Sequence, residues 1–403
     1  MKERLRALLL GRTWVVLTVA LGLLQVVIGH WFWVVLAGRE GPGLVLGLAL
    51  AGLLVALNLR LMPILRPAMR ARGVARWLAR AYVTVGVATL VLGTGVVLLW
   101  AGALPVGAVL GLLGLDAQTA FQAFRFASAA VVLIIAALLL WGFTLGQSLF
   151  EHTHVVVPVE GLHDAHRGLR IVQISDLHIG NGMEGTRLGR LVARVNALDP
   201  DVVALTGDLF DFDPAWVEEG ARGLAGLRAR LGVFAVLGNH DTYTGSETVA
   251  EALARHAPHV RLLRGHWERL PGEAPLYVAG VDDPGRLWSR DGHHLRWPDL
   301  PRLAAERPDD GPVVLLVHRP EAFPEAARLG FELVLAGHTH GGQLAVPWPG
   351  LGERWSLGRI LTPFHRGLFR EGRSHLYVNR GAGVAGPAIR IGSRREITTL
   401  ELR

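Results

Sequence analysis

The distribution of hydrophobic and charged positions divides the chain into two parts. The first 150 residues contain four long stretches without any charged residue: 13–38, 41–59, 81–115 and 126–150. About 20 apolar residues are enough for an α-helix to cross the hydrocarbon core of a bilayer. The pattern therefore predicts a transmembrane region over residues 1–150, with four helices at roughly 14–37, 42–62, 81–103 and 126–148.

The third uncharged stretch, residues 81–115, is longer than one membrane span requires. We expect one helix over 81–103 and a separate interfacial or re-entrant piece over Val106–Leu115. If the stretch held two spans instead, the part of the chain that follows would lie on the opposite side of the membrane.

From about residue 155 the pattern changes to short runs of Val, Ile and Leu separated by amphipathic stretches. The runs predict strands at 170–175, 201–206, 232–237, 276–281, 312–317, 332–336, 374–379 and 395–402. The spacing between them predicts helices at 186–198, 215–230, 247–256 and 320–329. Alternating strands and helices indicate an α/β layered domain over residues 151–403. In such domains ligands bind at the carboxyl ends of the strands.

The basic residues are concentrated in the apolar part of the chain. The 403 residues carry 41 Lys and Arg against 34 Asp and Glu, a net charge of +7. Residues 1–150 contribute +9 and residues 151–403 contribute −2. Ten bases lie in the N-terminus and the second loop, and two in the other loops. The positive-inside rule then predicts an integral plasma-membrane protein whose C-terminal domain faces the cytoplasm.

The charge and cysteine counts exclude several classes of site. The C-terminal part is slightly acidic, so no nucleic-acid partner is expected. The chain has no cysteine, which excludes disulfides, thiol nucleophiles and thiolate metal sites.

Polar residues follow five of the predicted strands directly. They are Asp176 with His178, Asp208, Asn239 with His240, His318, and His338 with His340. Side chains two apart in an extended segment point to the same side, so each pair can reach one site. Carboxylates and imidazoles without thiolates suit Mn, Fe or Zn. About seven ligands exceed what one ion takes from a protein, so we expect two divalent metal ions that share a bridging carboxylate.

The order of these motifs resembles the calcineurin-like metallophosphoesterase superfamily. The matching blocks are D-L-H (176–178), G-D-L-F-D (207–211), G-N-H-D (238–241), a single His318 and G-H-T-H (337–340). The sequences around these blocks, ISDLHIG, HRPEAF, GHTHGGQ and NRGAG, are similar to those of the bacterial membrane-associated branch of the superfamily. The resemblance covers about residues 155–403 and does not extend to the four apolar stretches.

The resemblance implies a four-layer αββα sandwich with a dinuclear metal site. By motif position, Asp176, His178 and His340 would hold the first metal, and Asn239, His318 and His338 the second. Asp208 would bridge both. His240 would contact the phosphate and protonate the leaving group, and Asp211 would orient His240. The implied reaction is hydrolysis by a hydroxide held between the two ions.

Three function classes follow for the whole chain. The leading one is a membrane-anchored phosphoesterase that hydrolyses a phosphomonoester, a phosphodiester or a diphosphate, with a lipid or lipid-linked substrate as a candidate. The second is a non-catalytic metal-binding scaffold that keeps the fold. The third makes the four helices a transporter or sensor with the phosphoesterase as its output. The phosphoesterase is favoured because this sequence has a suitable residue at every metal-ligand position of the family and also has His240.

Four further features carry weaker expectations. His152, His154, His163 and His166 precede the first motif and are expected at the surface of a link segment. The insertion 283–311, with Trp288 and His293–His294, either lines a substrate cleft or is a solvated loop. The apolar stretch 344–373, with Trp348 and His365, is expected to pack on the domain, with membrane contact as the alternative. Asp241 either shapes its turn or acts in the site.

Overall fold

The structure is a computed structural model that describes residues 2–39, 41, 43–70, 73–114, 116–285, 297–345, 356, 359 and 362–403. The chain divides into two compact units, Met1–Trp141 and Gly142–Arg403. The division into a transmembrane region and a catalytic domain at residue 150 stays a prediction.

The N-terminal unit is helical. Its helices are α1 (Lys2–Trp31, continued by a π-helical turn Phe32–Leu36), α2 (Leu44–Arg70), α3 (Val74–Leu112) and α4 (Ala117–Phe143). Each contains a window long and apolar enough to cross a membrane, so the prediction of four such helices is confirmed.

The third helix differs from its prediction. Helix α3 is continuous to Leu112 and contains Pro105, so no separate piece begins at Val106. Proline removes one backbone hydrogen bond but does not prevent an apolar helix from continuing past it.

Polar side chains meet between these helices. Helix α1 packs against α2 and α3. The Asn58 side chain is buried, donates to Gln25 Oε1 at 3.0 Å and accepts from the Tyr82 hydroxyl. Such hydrogen bonds hold apolar helices together where hydrophobic burial discriminates little between partners.

The C-terminal unit contains twelve strands and five helices in its described part. The strands are β1 (Phe150–Val157), β2 (Arg170–Ile174), β3 (Val202–Thr206), β4 (Gly232–Val236), β5 (Val260–Leu262), β6 (His266–Arg269), β7 (Tyr277–Gly280), β8 (Val313–Leu316), β9 (Leu333–Ala336), β10 (Gly367–Glu371), β11 (Ser374–Val378) and β12 (Arg395–Leu402). The helices are α5 (Thr186–Asn196), α6 (Val217–Leu224), α7 (Asn239–His256), α8 (Asp299–Ala305) and α9 (Phe323–Arg328).

The strands form two six-stranded sheets, in the orders β1-β12-β2-β3-β4-β5 and β10-β11-β9-β8-β7-β6. Strands β2 to β5 run parallel, as do β7, β8, β9 and β11. Antiparallel pairs join β12 to β2, β10 to β11 and β6 to β7. The carboxyl ends of the central strands in each sheet therefore lie along one edge.

Alternating side chains build a core on each face of the sheets. In β3, Val202 and Ala204 face the core between the two sheets, and Val203 and Leu205 face the helices α5, α6 and α7. The second sheet packs its outer face against α8 and α9. Four layers result, which confirms the predicted αββα sandwich.

Some local predictions differ from the structure. The predicted link segment is partly strand β1, which extends the first sheet beside β12. His152, His154 and His163 are exposed, but His166 is buried and its Nε2 lies 2.9 Å from the carbonyl of Ala274. A lone histidine has no periodic pattern that would reveal such burial.

The two uncertain segments are only partly described. Trp288, His293, His294 and Trp348 lie outside the described residues. Phe364, near the end of the apolar stretch, packs edge-on against Phe323 and Phe369 in the outer core of the second sheet. This part of the stretch packs on the domain, as expected.

A buried ion pair fastens β12 to the loop after β11. Glu396 is 1% exposed and accepts hydrogen bonds from the backbone N–H and the guanidinium of Arg380. Burial raises the pKa of Glu396, but the hydrogen bond and charge of Arg380 outweigh it and hold that pKa below its ordinary value.

We expect Glu396→Gln to lower the free energy of unfolding by about 3 kcal/mol, because it leaves Arg380 buried with one compensating charge fewer. The control is Glu151→Gln, which removes the more exposed partner of Arg380 and is expected to cost less than about 1 kcal/mol. Denaturant unfolding of the full-length protein in detergent measures both.

The pH dependence separates this ionic contribution from side-chain shape. A carboxylate with a lowered pKa stabilises the fold above its unfolded pKa and loses that contribution as the pH falls. The difference between wild type and Glu396→Gln should therefore shrink below about pH 4.5, the ordinary pKa of Glu. A constant difference across that range would contradict the ionic account.

Candidate metal centre

The candidate ligands lie at the carboxyl ends of β2, β3, β4, β8 and β9, where the two sheets meet. Five of them adopt a positive φ: Asp176 (51°), His178 (47°), Asp208 (51°), His338 (70°) and His340 (51°). This left-handed region is costly for side chains with a Cβ, and such residues cluster at functional sites. The tight turns after the strands therefore hold side chains in place at the expense of local backbone strain.

Asp176, His178 and His340 form one cluster of donor atoms. His178 Nε2 lies 3.0 Å from His340 Nε2, which in turn lies 3.3 Å from Asp176 Oδ1. Asp176 and His178 are fully buried and His340 is 5% exposed. The spacing of Asp176 and His178 places both side chains in one site, as expected.

Asp208, His318 and His338 form a second cluster. His318 Nε2 lies 3.2 Å from Asp208 Oδ2 and 3.1 Å from His338 Nδ1. His318 Nδ1 lies 2.8 Å from the carbonyl of Thr206, so this nitrogen carries the proton and donates it. The Nε2 of His318 faces Asp208 and His338, and it would offer a lone pair to a metal ion that displaces its proton.

Asp208 belongs to the second cluster and also lies close to the first. Its Oδ2 lies 3.7 Å from His178 Nε2 in addition to its contact with His318. A third cluster joins His178, Asp208 and His240. One carboxylate within reach of two groups of imidazoles is the arrangement that a bridging ligand requires.

These residues fit divalent metal ions. Pairs of imidazole nitrogens face each other at about 3 Å, which is unfavourable unless a cation or proton lies between them. Asn239 Oδ1 is buried without a hydrogen-bond partner among the described residues. Such an orphaned oxygen lacks the compensation that buried polar atoms normally have, and a metal would supply it.

The electrostatics of the clusters favour a cation. Burial lowers the pKa of His318, but the charges of Asp208 and Asp176 outweigh it and raise that pKa to about 10. Burial and the charges of neighbouring cationic groups hold the pKa values of His338 and His340 well below the ordinary value. His338 and His340 are therefore neutral imidazoles, the form that binds metal.

Asp211 links a candidate metal ligand to the candidate proton donor. Its Oδ1 lies 3.1 Å from His178 Nδ1 and 2.8 Å from His240 Nδ1. Burial raises the pKa of Asp211, but the hydrogen bonds from these two histidines outweigh it and lower the pKa to about 2. The ionised carboxylate accepts both N–H groups, so both histidines present Nε2 to the site. The contact with His178 was not anticipated from the motif.

Asp241 shapes the turn. Its buried carboxylate accepts from the backbone N–H groups of Leu209, Phe210 and Gly238. Burial and the charge of Asp208 raise the pKa of Asp241 to about 7. It ties the turn after β3 to the turn after β4.

Two arginines near the clusters were not predicted. Arg390 is 1% exposed, donates to the carbonyls of Arg380, Gly381 and Gly383, and lies 3.1 Å from His340 Nδ1. Arg319 pairs with Asp283 at 2.6 Å and approaches His338 Nε2 at 3.3 Å. Arg319 could have been noticed in the sequence because it directly follows His318. Arg390 could not, because it lies far from His340 along the chain.

We expect Asp211→Asn to reduce metal affinity or turnover by about 10- to 100-fold, because a neutral amide oxygen holds the two Nδ1–H groups more weakly than the ionised carboxylate does. The control is Asp213→Asn two residues away, which keeps its cap on Ala215. Metal titration by calorimetry and initial rates measure the two effects. Equal losses of metal affinity or turnover in the two variants would show that the substitutions disturb the turn itself. The hydrogen bonds of Asp211 to the two histidines would then not be the cause.

Comparisons with known proteins agree with this geometry. Residues 169–342 match the sequence profile of the calcineurin-like phosphoesterases. A Danio rerio protein described as a transmembrane protein with metallophosphoesterase domain is 34% identical over 300 residues, which is 72% of this chain and 65% of that protein. An uncharacterized metallophosphoesterase of Aquifex aeolicus is 32% identical over 244 residues, covering 58% of this chain and 85% of the relative.

Solved structures include a dimetal phosphatase from Danio rerio, with a TM-score of 0.37 and 12% identity over 55% of this chain and 90% of that chain. The chain spans just under two thirds of the length of the Danio rerio transmembrane relative.

The fold and the arrangement of candidate ligands are those of a metallophosphoesterase domain. The profile match and the relatives show that the chain belongs to the calcineurin-like phosphoesterase superfamily, as its motifs indicated.

Proposed function

We propose that the protein hydrolyses a phosphomonoester, phosphodiester or diphosphate bond at a membrane surface. The observation that carries this is the position of Asp208, within 3.7 Å of imidazoles from both clusters and in a third cluster with His240. A shared carboxylate beside a proton donor suits hydrolysis better than simple metal storage.

The chain's own residues would act in distinct roles. Asp176, His178 and His340 would hold one ion, Asn239, His318 and His338 the other, and Asp208 both. Two divalent ions of the Mn, Fe or Zn class would supply charge to neutralise phosphoryl oxygens and make water nucleophilic near neutral pH.

His240 would complete the reaction. Its Nδ1–H donates to Asp211, which directs Nε2 at the leaving oxygen. As water adds to phosphorus and the bond to the leaving oxygen breaks, protonated His240 would give its proton to that oxygen. The proton that the water loses would pass to solvent, from which His240 would be reprotonated. One water is consumed, and a phosphate product and an alcohol or phosphate leave. No covalent bond to the protein is needed.

Four helices exceed what a tether requires, which supports a lipid or lipid-linked substrate. The Danio rerio relative is named as a transmembrane protein. The arginine distribution supports a plasma-membrane protein with its catalytic unit in the cytoplasm. Arginines in the second loop would also favour anionic lipids, at about 1 kcal/mol for each base near the surface.

A substrate panel with Mn²⁺ tests the activity. It contains p-nitrophenyl phosphate, bis-p-nitrophenyl phosphate, cyclic nucleotides and lipid-linked diphosphates, presented to full-length protein in detergent or vesicles. Metal-dependent turnover of at least one compound is expected. No turnover by protein that binds two ions would instead favour the non-catalytic scaffold.

The absence of cysteine makes the orientation directly testable. Single variants Val74→Cys, after the second loop, and Leu113→Cys, after α3, place thiols at positions 73% and 72% exposed. In intact cells, an impermeant maleimide should label Leu113→Cys and should label Val74→Cys only after lysis. The reverse result would place the catalytic unit outside.

A further inference from the structure

Three aromatic rings lie together beside the candidate proton donor. The ring centroid of Phe212 is 4.2 Å from that of His240 and 5.6 Å from that of Tyr243. The rings of Phe212 and Tyr243 are nearly parallel, with an interplanar angle of 5°. Parallel rings at this separation attract each other, so Tyr243 helps to hold the ring of Phe212 in place.

Phe212 is held outward by its backbone. It has a φ of 46°, and the N–H of Asp213 donates to the carbonyl of Asp211 across it at 2.5 Å. This tight three-residue turn keeps Asp211 directed at the two histidines and leaves Phe212 52% exposed. A bulky residue with a positive φ is unusual, and such strain persists where the surroundings impose it.

The exposure of Phe212 contrasts with the rest of the unit. Among the described residues of Gly142–Arg403, the other large hydrophobic side chains with more than a third of their area exposed are aliphatic: Leu145, Val156 and Leu368. Burying a phenylalanine side chain would stabilise the fold by about 1.5–3 kcal/mol. Phe212 contributes only part of this stabilisation, and it lies beside His240, the candidate proton donor.

We propose that Phe212 and Tyr243 form an aromatic subsite that stacks against a planar ring carried by the leaving group. The inference rests on the proposed function, because it takes His240 as the proton donor. The leaving oxygen must lie at His240, so the group attached to it lies beside Phe212. The substrate class is an aryl phosphoester or a nucleotide ester, both of which carry such a ring.

The surroundings favour a ring over an acyl chain. The exposed ring of Phe212 is one phenyl ring wide, lies beside the ring of His240, and is flanked in sequence by Asp211 and Asp213, which are polar. An extended chain would have to cross those groups and strip their water without offering hydrogen bonds. A ring stacks without crossing them, and stacking of a base on an aromatic side chain is tolerant of the base.

Calorimetry with ligands that are not hydrolysed tests the subsite apart from turnover. Phenylphosphonate, cyclohexylphosphonate and octylphosphonate are titrated into Mn²⁺-loaded full-length protein in detergent. The methylene phosphonate analogues of uridine 5′-monophosphate and of ribose 5-phosphate, which have no P–O bond to hydrolyse at that position, then separate a nucleotide source from an aryl one. The variants are Phe212→Leu, which keeps apolar bulk, and Phe212→Tyr, which keeps the ring.

We expect wild type to bind phenylphosphonate about tenfold more tightly than cyclohexylphosphonate. Phe212→Leu should lose that preference, and Phe212→Tyr should keep it. Equal binding of the two phosphonates by wild type, or a preference unchanged in Phe212→Leu, overturns the subsite. Tightest binding of octylphosphonate that depends on Phe212 overturns it too, in favour of an acyl site.

The two proposals can fail separately. A ring preference in a protein that hydrolyses no compound of the substrate panel would refute the proposed function and leave the subsite standing. Turnover without a ring preference would refute the subsite and leave the function standing.

Discussion

Asp208→Asn is expected to abolish turnover and leave at most one metal ion bound. Asp208 is 2% exposed, lies 3.2 Å from His318 Nε2 and 3.7 Å from His178 Nε2, and accepts the backbone N–H of His240. An amide keeps the shape and the hydrogen bond to the backbone but removes the negative charge. The loss of a shared anionic ligand therefore acts on both ions.

The expected loss in kcat/KM is on the order of a thousandfold, which corresponds to about 4 kcal/mol of transition-state stabilisation. Elemental analysis of the purified protein counts the ions, and initial rates with the best substrate of the panel give the turnover. The matched control is Asp199→Asn, whose carboxylate is exposed and pairs with Arg170. Two ions and more than a tenth of wild-type activity in Asp208→Asn would refute the shared-ligand assignment.

His240→Gln is expected to reduce turnover by about 10²- to 10⁴-fold on esters with poor leaving groups, because positioned proton transfer contributes that much. The loss should be small for p-nitrophenyl esters, whose leaving group departs without a proton. The ratio between alkyl and p-nitrophenyl esters separates proton donation from metal loss. Metal content should stay at the wild-type value.

His266→Gln is the matched control, since His266 is an exposed histidine of β6 on the other sheet. It should leave both rates unchanged. An equal loss on both ester classes in His240→Gln would show that His240 binds the phosphoryl group or supports the metals, and does not protonate the leaving oxygen.

The motifs at the strand ends predicted much of the fold of the C-terminal unit. Short continuous apolar runs such as 201–206 and 332–336 predict buried strands, and the αββα sandwich implied by the family is present. Asp176, His178, Asp208, His318, His338 and His340 lie together because parallel strands bring their carboxyl ends to one edge. Their roles as ligands stay a prediction.

Other contacts have no local pattern. The contact of Arg390 with His340 spans 50 positions and depends on how the loop after β11 folds back. The burial of His166 depends on the carbonyl of Ala274, 108 positions away. Phe212 lies inside the G-D-L-F-D-F-D text, but its exposure follows from the positive φ of its turn, which the residue type does not indicate.

The sequence by itself determined the four apolar helices, the αββα class and the residue types of the metal centre, because hydrophobic periodicity and motif order are local. Tertiary structure alone decided that Asp211 contacts His178 as well as His240, that Asp208 reaches imidazoles of both clusters, and that Phe212 and Tyr243 stack beside His240. Those relations depend on angstrom distances between turns of different strands. Only the packing of the two sheets sets such distances.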